Sequence, residues 1–449
     1  MAVYNIGNGT AMRHINRHRG FGLIISLALG GLSACAPAEA PQSVQLSGLA
    51  VTPEILQTMA YPVKGYTVLI QQIEQPIDHA DPDKGTFQQQ VIVLKPVGVA
   101  ADAPVHFMLG NETDWTPARL EALYSSYGSP KDMIFITADH RGYGQSIADI
   151  DQSVPSYVTL DGAMADYDRL VKLYKTIYPG EWTGGGCSFG GSLAINFAHA
   201  YPQNFTALLA SSAPTKWEFV TLEYSPQAEK NLGPTLAGNI ATHMRVLKPK
   251  AAYDEIWIDR ERLFALTVAL SQMEEMRPIK PMIEKLSKLP TADFLTAIKT
   301  QFPAELRQRI DDWAVRRVPS ATLSAEEVKS GKYNWHTWKY QQCTEAGTYF
   351  MGDLFPYSRE ELVADCKASF GEAPAYLSAD PWPVDQMLGE LKMPVMVVSG
   401  GQDPWMQVGV GPNHRYNNIT YRYFPDALHC PDVYLPDVGK SVFADFRGL

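Results

Sequence analysis

Cysteine is scarce, with five in 449 residues. A small scaffold held by disulfides is excluded, so a packed core has to carry the fold. Like charge never gathers into a run, and the formal net charge is −10 with a pI near 5.5. Phosphate binding needs clustered Lys and Arg, so nucleic acid is excluded as a partner. The ten histidines do not cluster with Cys or acids at ligand spacing, and H-E-x-x-H is missing. Neither a metal nor any other cofactor is therefore expected. Repeats and low-complexity tracts are also missing. One apolar run stands out, Phe21–Leu32, and it is too short to remain as a membrane span. What is present is a globular composition of 45% hydrophobic, 19% charged and 11% aromatic residues. That suffices for one large domain or two ordinary ones.

Arg13, Arg17 and Arg19 precede the apolar run, which leads into Leu32-Ser33-Ala34-Cys35. A basic segment, an apolar segment and small residues at the end read as a secretory signal. Cysteine directly after Ala34 resembles a bacterial lipobox. Residues 1–34 then form a lipoprotein-type signal peptide, and Cys35 becomes the lipidated first residue. The alternative is an ordinary signal cut near Ala38 or Ala40. The Ala-, Pro-, Ser- and Gln-rich stretch from Ala36 to Ser47 reads as a tether to a membrane surface, within an N-terminal extension spanning 35–65. The expected location is the bacterial envelope, either periplasmic or as an outer-membrane lipoprotein. Export permits disulfides. Cys343 and Cys366, 23 apart around a helix–turn segment, are the expected pair. Cys187 and Cys430 read as buried small apolar residues.

From about Tyr66 to Pro214, strand-like and helical runs alternate. Thr86–Val97, Val105–Gly110, Met133–Ala138, Trp182–Gly186 and Phe205–Ser211 read as strands. Pro117–Tyr127, Leu160–Tyr178 and Leu193–Ala200 read as helices. This rhythm predicts a mostly parallel sheet covered on both faces, an α/β fold. Strand signals vanish over 215–380, where helical segments such as Tyr253–Glu275 and Met282–Lys299 dominate. Pro394–Ser399 and Ile419–Phe424 then restore strands. The expected organisation is a core of 66–214 and 381–449, interrupted by a helical cap domain.

Gly186-Cys187-Ser188-Phe189-Gly190 matches G-x-S-x-G. Alone the motif is weak, since roughly one chain in seven of this composition contains it by chance. Its position between a strand and a helix supplies the context of an α/β-hydrolase nucleophile turn, with Ser188 standing clear of the sheet edge. A serine hydroxyl needs a base, and the base needs an orienting carboxylate. In this fold they follow in the order Ser, acid, His. Asp403 comes directly after a late buried strand, and His429 follows the last one. Asp426 and Asp432 are rival acids, and His414 is a rival base. The backbone amides of Phe189 and of the Gly110-Asn111-Glu112 loop, at Asn111, are the expected oxyanion donors. Asn111 and Glu112 serve equally well as simple turn residues.

Further phrases carry a family resemblance. They are Gln75-Pro76-Ile77-Asp78-His79, Thr86-Phe87-Gln88-Gln89, Gly110-Asn111-Glu112 and His140-Arg141-Gly142-Tyr143-Gly144-Gln145-Ser146. Trp338-Lys339-Tyr340-Gln341-Gln342-Cys343-Thr344-Glu345, Gly401-Gln402-Asp403-Pro404-Trp405 and His429-Cys430-Pro431-Asp432 complete the set. In this order they resemble the prolyl carboxypeptidase and dipeptidyl peptidase II family of serine peptidases, from residue 75 to 432. The resemblance implies an exopeptidase acting on short peptides, commonly after proline, beneath a cap, and it agrees with a Cys343–Cys366 bridge. Two positions depart from the pattern. Cys187 stands where relatives usually carry glycine, and Lys339 where those binding a free N-terminus carry an acid. Glu345 or Glu112 could replace that acid, while Lys339 could favour a substrate carboxylate or face solvent. Trp335, Trp338, Tyr340 and Trp405 could line a proline-sized pocket or pack as cap core.

The leading expectation is a prolyl exopeptidase of dipeptidyl-peptidase type, with a carboxypeptidase type close behind. An esterase or lipase on the same fold and a non-enzymatic envelope protein are the other readings. Short peptides are the expected partners, the membrane is reached only through a lipid anchor, and a homodimer is compatible with this reading.

Overall fold

The computed structural model describes residues 44–46, 49–51, 54–61, 64–149, 153–217, 224–247, 255–316, 334–347, 352, 354–355, 357–372, 382–411 and 416–449. Cys35 with its signal, and His414, lie outside them. The strands are β1 (Val44–Leu46), β2 (Leu49–Val51), β3 (Glu54–Tyr61), β4 (Tyr66–Pro76), β5 (Thr86–Pro96) and β6 (Val105–Met108). They continue as β7 (Ile134–Ala138), β8 (Trp182–Cys187), β9 (Leu208–Ser211), β10 (Val395–Gly400) and β11 (Ile419–Phe424). Nine of them form one sheet in the order β11-β10-β9-β8-β6-β7-β5-β4-β3. From β7 through β11 every neighbouring pair is parallel, while β5, β4 and β3 run antiparallel at the other side. The exchange of β6 and β7 against chain order leaves the ends of β6 and β8 side by side. Strand β3 joins this sheet from within the stretch that the sequence suggested was an extension.

Alternation along the buried strands builds two cores. Val91, Val93, Phe107, Ile134, Ile136, Val395 and Val397 face one cluster, with Leu170 and Val171 of α2 (Leu160–Ile177) and Ile195 of α3 (Phe189–Ala200). Ile92, Leu94, Met108, Phe135, Met396 and Val398 face the other, with Leu120 and Leu123 of α1 (Pro117–Ser126) and Phe443 of the C-terminal helix Pro436–Phe446. A side-chain period of two makes both faces apolar, as a sheet buried on both sides requires.

Between β9 and β10 the named elements are helical, among them Tyr224–Leu232, Glu255–Gln272, Asn334–Gln341 and Arg359–Phe370. The expected helical stretch Met282–Lys299 is split into Lys280–Leu286 and Thr291–Gln301. Pro290 causes the break, because it disfavours helical backbone at Leu289 and has no N–H to donate. Helix α3 also begins at Phe189 rather than Leu193. Gly190 and Gly191 weaken the local helical signal, but the turn at Ser188 imposes the start.

Candidate active site

Strand β8 ends in a sharp turn. Ser188 has φ 58° and ψ −128° and caps α3, a conformation rare for any residue with a side chain. The flanking glycines make the turn sterically feasible. A Cβ on Gly186 would lie 2.1 Å from the Gly190 carbonyl oxygen. One on Gly190 would meet Asn111 Cβ and the Gly110 carbonyl oxygen, both at 3.4 Å. The loop after β6 thus packs directly on the turn. The Ser188 N–H donates to the Ser211 carbonyl at 2.8 Å, and the Gly191 and Ser192 amides donate to the Ser188 carbonyl. Ser188 itself is buried.

Two further residues meet at the same edge. Asp403 follows β10 and is buried; one carboxylate oxygen accepts the Trp405 N–H at 2.9 Å. Its other oxygen lies 2.8 Å from His429 Nδ1. With both oxygens engaged, Asp403 holds the ring in one orientation and one tautomer. His429 Nε2 is buried and has no hydrogen-bond partner among the described residues. Of the rival acids, Asp432 is committed elsewhere: it accepts from Ser211 Oγ and from Tyr127 Oη. Burial raises its pKa, and those two hydrogen bonds oppose the rise. Asp426 offers its carbonyl to Arg277 on the surface.

The expected substrate residues divide. Trp338 packs on Phe189, the residue after Ser188, with ring centroids 4.7 Å apart. Trp405 sits 6.5 Å from the His429 ring, and its indole N–H donates to Gln272 Oε1. Tyr340 packs edge-on against Phe370 of the helix Arg359–Phe370, and Trp335 is buried. Glu112 is fully buried in the loop after β6, where the Asn111 side chain accepts from Thr113 as in an Asx turn. Glu345 accepts the Leu160 N–H at 2.9 Å, and burial lifts its pKa to about 7 against the effect of that bond. Lys339 is buried and donates to Asp365 at 2.7 Å. Its charge is paired within the protein, and it does not face solvent.

One expectation is overturned. Cys187 and Cys430 form a disulfide, as do Cys343 and Cys366. The first pair is 243 residues apart in sequence, which hid it. A signal was present nonetheless: the two cysteines adjoin Ser188 and His429, and a nucleophile and its base must meet. Sequence reasoning also missed Trp217 and Trp382, whose rings lie 5.8 and 6.0 Å from Phe189. Gln272 was missed as well; its carbonyl accepts the His429 N–H.

The strand order and the turn after β8 define an α/β-hydrolase fold. The model of the serine carboxypeptidase S28 family matches residues 75–246. A lysosomal Pro-X carboxypeptidase from Bos taurus is 31% identical over 407 residues, covering 76% of this chain and 78% of that protein. The chain therefore belongs to the serine carboxypeptidase S28 family of serine peptidases. A prolyl tri/tetrapeptidyl aminopeptidase from Streptomyces mobaraensis is 30% identical over 42% of this chain, and the human lysosomal Pro-X carboxypeptidase is 31% identical over 35%. The chain spans 38% and 34% of the length of these two relatives. Among solved structures, a probable hydrolytic enzyme from Pseudomonas aeruginosa matches with a TM-score of 0.45 at 12% identity, covering 84% of this chain and 93% of that one.

Proposed function

We propose that this chain is a serine exopeptidase that cleaves short peptides after proline through an acyl-enzyme. The observation that carries the reading is the buried Asp403–His429 pair, which leaves Nε2 without a protein partner at the edge where Ser188 turns out of β8. In the reaction, Ser188 Oγ attacks the scissile carbonyl as His429 Nε2 takes its proton. Asp403 stabilises the imidazolium that results. The amides of Phe189 and Asn111 receive the oxyanion. The imidazolium then protonates the leaving amine, and a water activated by His429 releases the acid. Trp338 and Trp405 offer flat faces on which a pyrrolidine ring stacks.

Release of dipeptides from the N-terminus is the first reading. Carboxypeptidase-type cleavage is the second, favoured by the bovine Pro-X carboxypeptidase being matched over most of its length. Incubation with Gly-Pro-fluorophore and with an N-blocked peptide ending in Pro-Phe separates them. If neither is cleaved faster than by Ser188→Ala, while short acyl esters are hydrolysed quickly, the esterase reading replaces both.

We also propose export and anchoring through Cys35. The two disulfides support an oxidising compartment, and among the described residues no helix is long and apolar enough to cross a membrane. Retention of Cys35→Ser in the membrane fraction of the expressing cell would refute the lipid anchor.

A further inference from the structure

The Cys187–Cys430 bridge joins the residue immediately before Ser188 to the residue immediately after His429, with Cα atoms 6.1 Å apart. Both ends lie beside strained backbone. Ser188 has φ 58° and Cys430 has φ 52°, in the region where non-glycine residues persist only when their surroundings hold them. The non-covalent ties between the two loops run through the end of β9. The Ser211 carbonyl accepts the Ser188 amide, Ser211 Oγ donates to Asp432, and Ser212 Oγ accepts the Cys430 amide at 2.9 Å. Ser188 and His429 are not hydrogen-bonded to each other, since His429 Nε2 has no partner among the described residues. No hydrogen bond between nucleophile and base thus sets their separation. The covalent link between their neighbours joins the two turns directly.

We infer that the Cys187–Cys430 disulfide is a positioning clamp for catalysis, holding the nucleophile turn and the base loop in register so that turnover requires the oxidised pair. The inference rests on the reading of Ser188 and His429 as nucleophile and base. A displacement of about 1 Å between reacting groups costs roughly a hundredfold in rate, and among the described residues this bridge is the one covalent tie between the two loops. A dithiol reductant supplies two electrons and two protons. The Sγ–Sγ bond is replaced by two thiols, and the reductant closes to its own disulfide. Both cysteines are buried, Cys430 completely and Cys187 nearly so, and Cys187 lines a small cavity of about 70 Å³ together with Asn111, Trp115 and Tyr434, which makes it the more approachable end. The other bridge, Cys343–Cys366, lies in the helical region between β9 and β10 and is removed in the test so that the reductant acts on one pair alone.

The test uses the full chain with a proline peptide substrate. In a Cys343→Ala/Cys366→Ala background, dithiothreitol is added and thiols are counted. Full reduction of the remaining pair is expected to lower kcat about 10- to 100-fold with KM changed less than about threefold. Far-UV circular dichroism should be unchanged, and reoxidation should restore kcat. Cys187→Ala/Cys430→Ala should show the same low kcat and ignore the reductant. The inference is overturned if kcat stays within about twofold once two thiols beyond any at Cys35 are counted, or if the double variant matches the oxidised protein. Should that variant fail to fold, the reduction and reoxidation cycle decides alone. Failure of the underlying reading looks different: Ser188→Ala would then cleave the peptide as fast as the parent, whatever the state of the bridge.

Discussion

The two disulfides belong to regions built in different ways. At the sheet edge, a few backbone positions are held in rare conformations, and polar groups converge from β8, β9, β10 and the loop after β11. In the cap segment, the helix Asn334–Gln341 docks on the core through ordinary side-chain bonds. Thr337 donates to the Gly142 carbonyl, Gln341 contacts His140 and Tyr143, and Asn334 accepts the Gly144 N–H. The edge bridge spans 243 residues of sequence and adjoins Ser188 and His429, whereas the other bridge spans 23. The edge holds backbone in rare conformations, whereas the helical segment between β9 and β10 docks through ordinary packing. Substitutions at the edge should cost rate and leave stability, and those in the cap should do the reverse.

The largest effect is expected for Ser188→Ala, with kcat falling roughly a millionfold while the thermal midpoint holds, because alanine keeps the Cβ and the same turn. A variant that unfolded instead would break the contrast. Next comes Asp403→Asn, which keeps the geometry but favours the wrong imidazole tautomer. Steady-state kinetics should show a loss of about 10⁴-fold in kcat with an unchanged circular dichroism spectrum. In the cap, Lys339→Met leaves Asp365 buried without its cation and should destabilise the fold by about 3–5 kcal/mol in denaturant titration. Lys339→Met/Asp365→Leu should recover most of that loss. If the single variant instead raised KM for free-carboxylate peptides at unchanged stability, Lys339 would be reading substrate after all. The smallest effect concerns pH. Burial raises the Glu345 pKa from 4.5 to about 7, so its contribution to stability is complete below pH 4.5 and is lost as pH rises through 7. Glu345→Gln should flatten that decline in a series of melting curves between pH 4.5 and 8.

Much of the core was legible because buried strands leave apolar runs of strand length. Pro394–Ser399 anticipated β10 within one residue, and Ile419–Phe424 matched β11. The order of Ser188, Asp403 and His429 followed from strand-to-loop topology, and the structure brings Asp403 and His429 into contact. Local pattern failed where tertiary geometry decides. The start of α3 is dictated by a turn whose glycines are poor helix formers. The helix break at Pro290 needed a rule about the preceding residue that amphipathic spacing overrode. The edge disulfide could not be read from spacing, because 243 residues intervene; its one signal was that the two cysteines adjoin Ser188 and His429. The tryptophans around Phe189 come from segments at 217, 338 and 382, and no spacing rule connects them. Lys339 could be read several ways until the structure showed Asp365 beside it.

The account's central claim is that Ser188 is a nucleophile activated by His429 and Asp403. Reaction with a fluorophosphonate, followed by peptide mapping in a mass spectrometer, tests it most directly. The account predicts a single adduct on the peptide containing Ser188, formed at least about a thousandfold more slowly in His429→Ala. Modification at another residue, or labelling that survives removal of His429 undiminished, would contradict it.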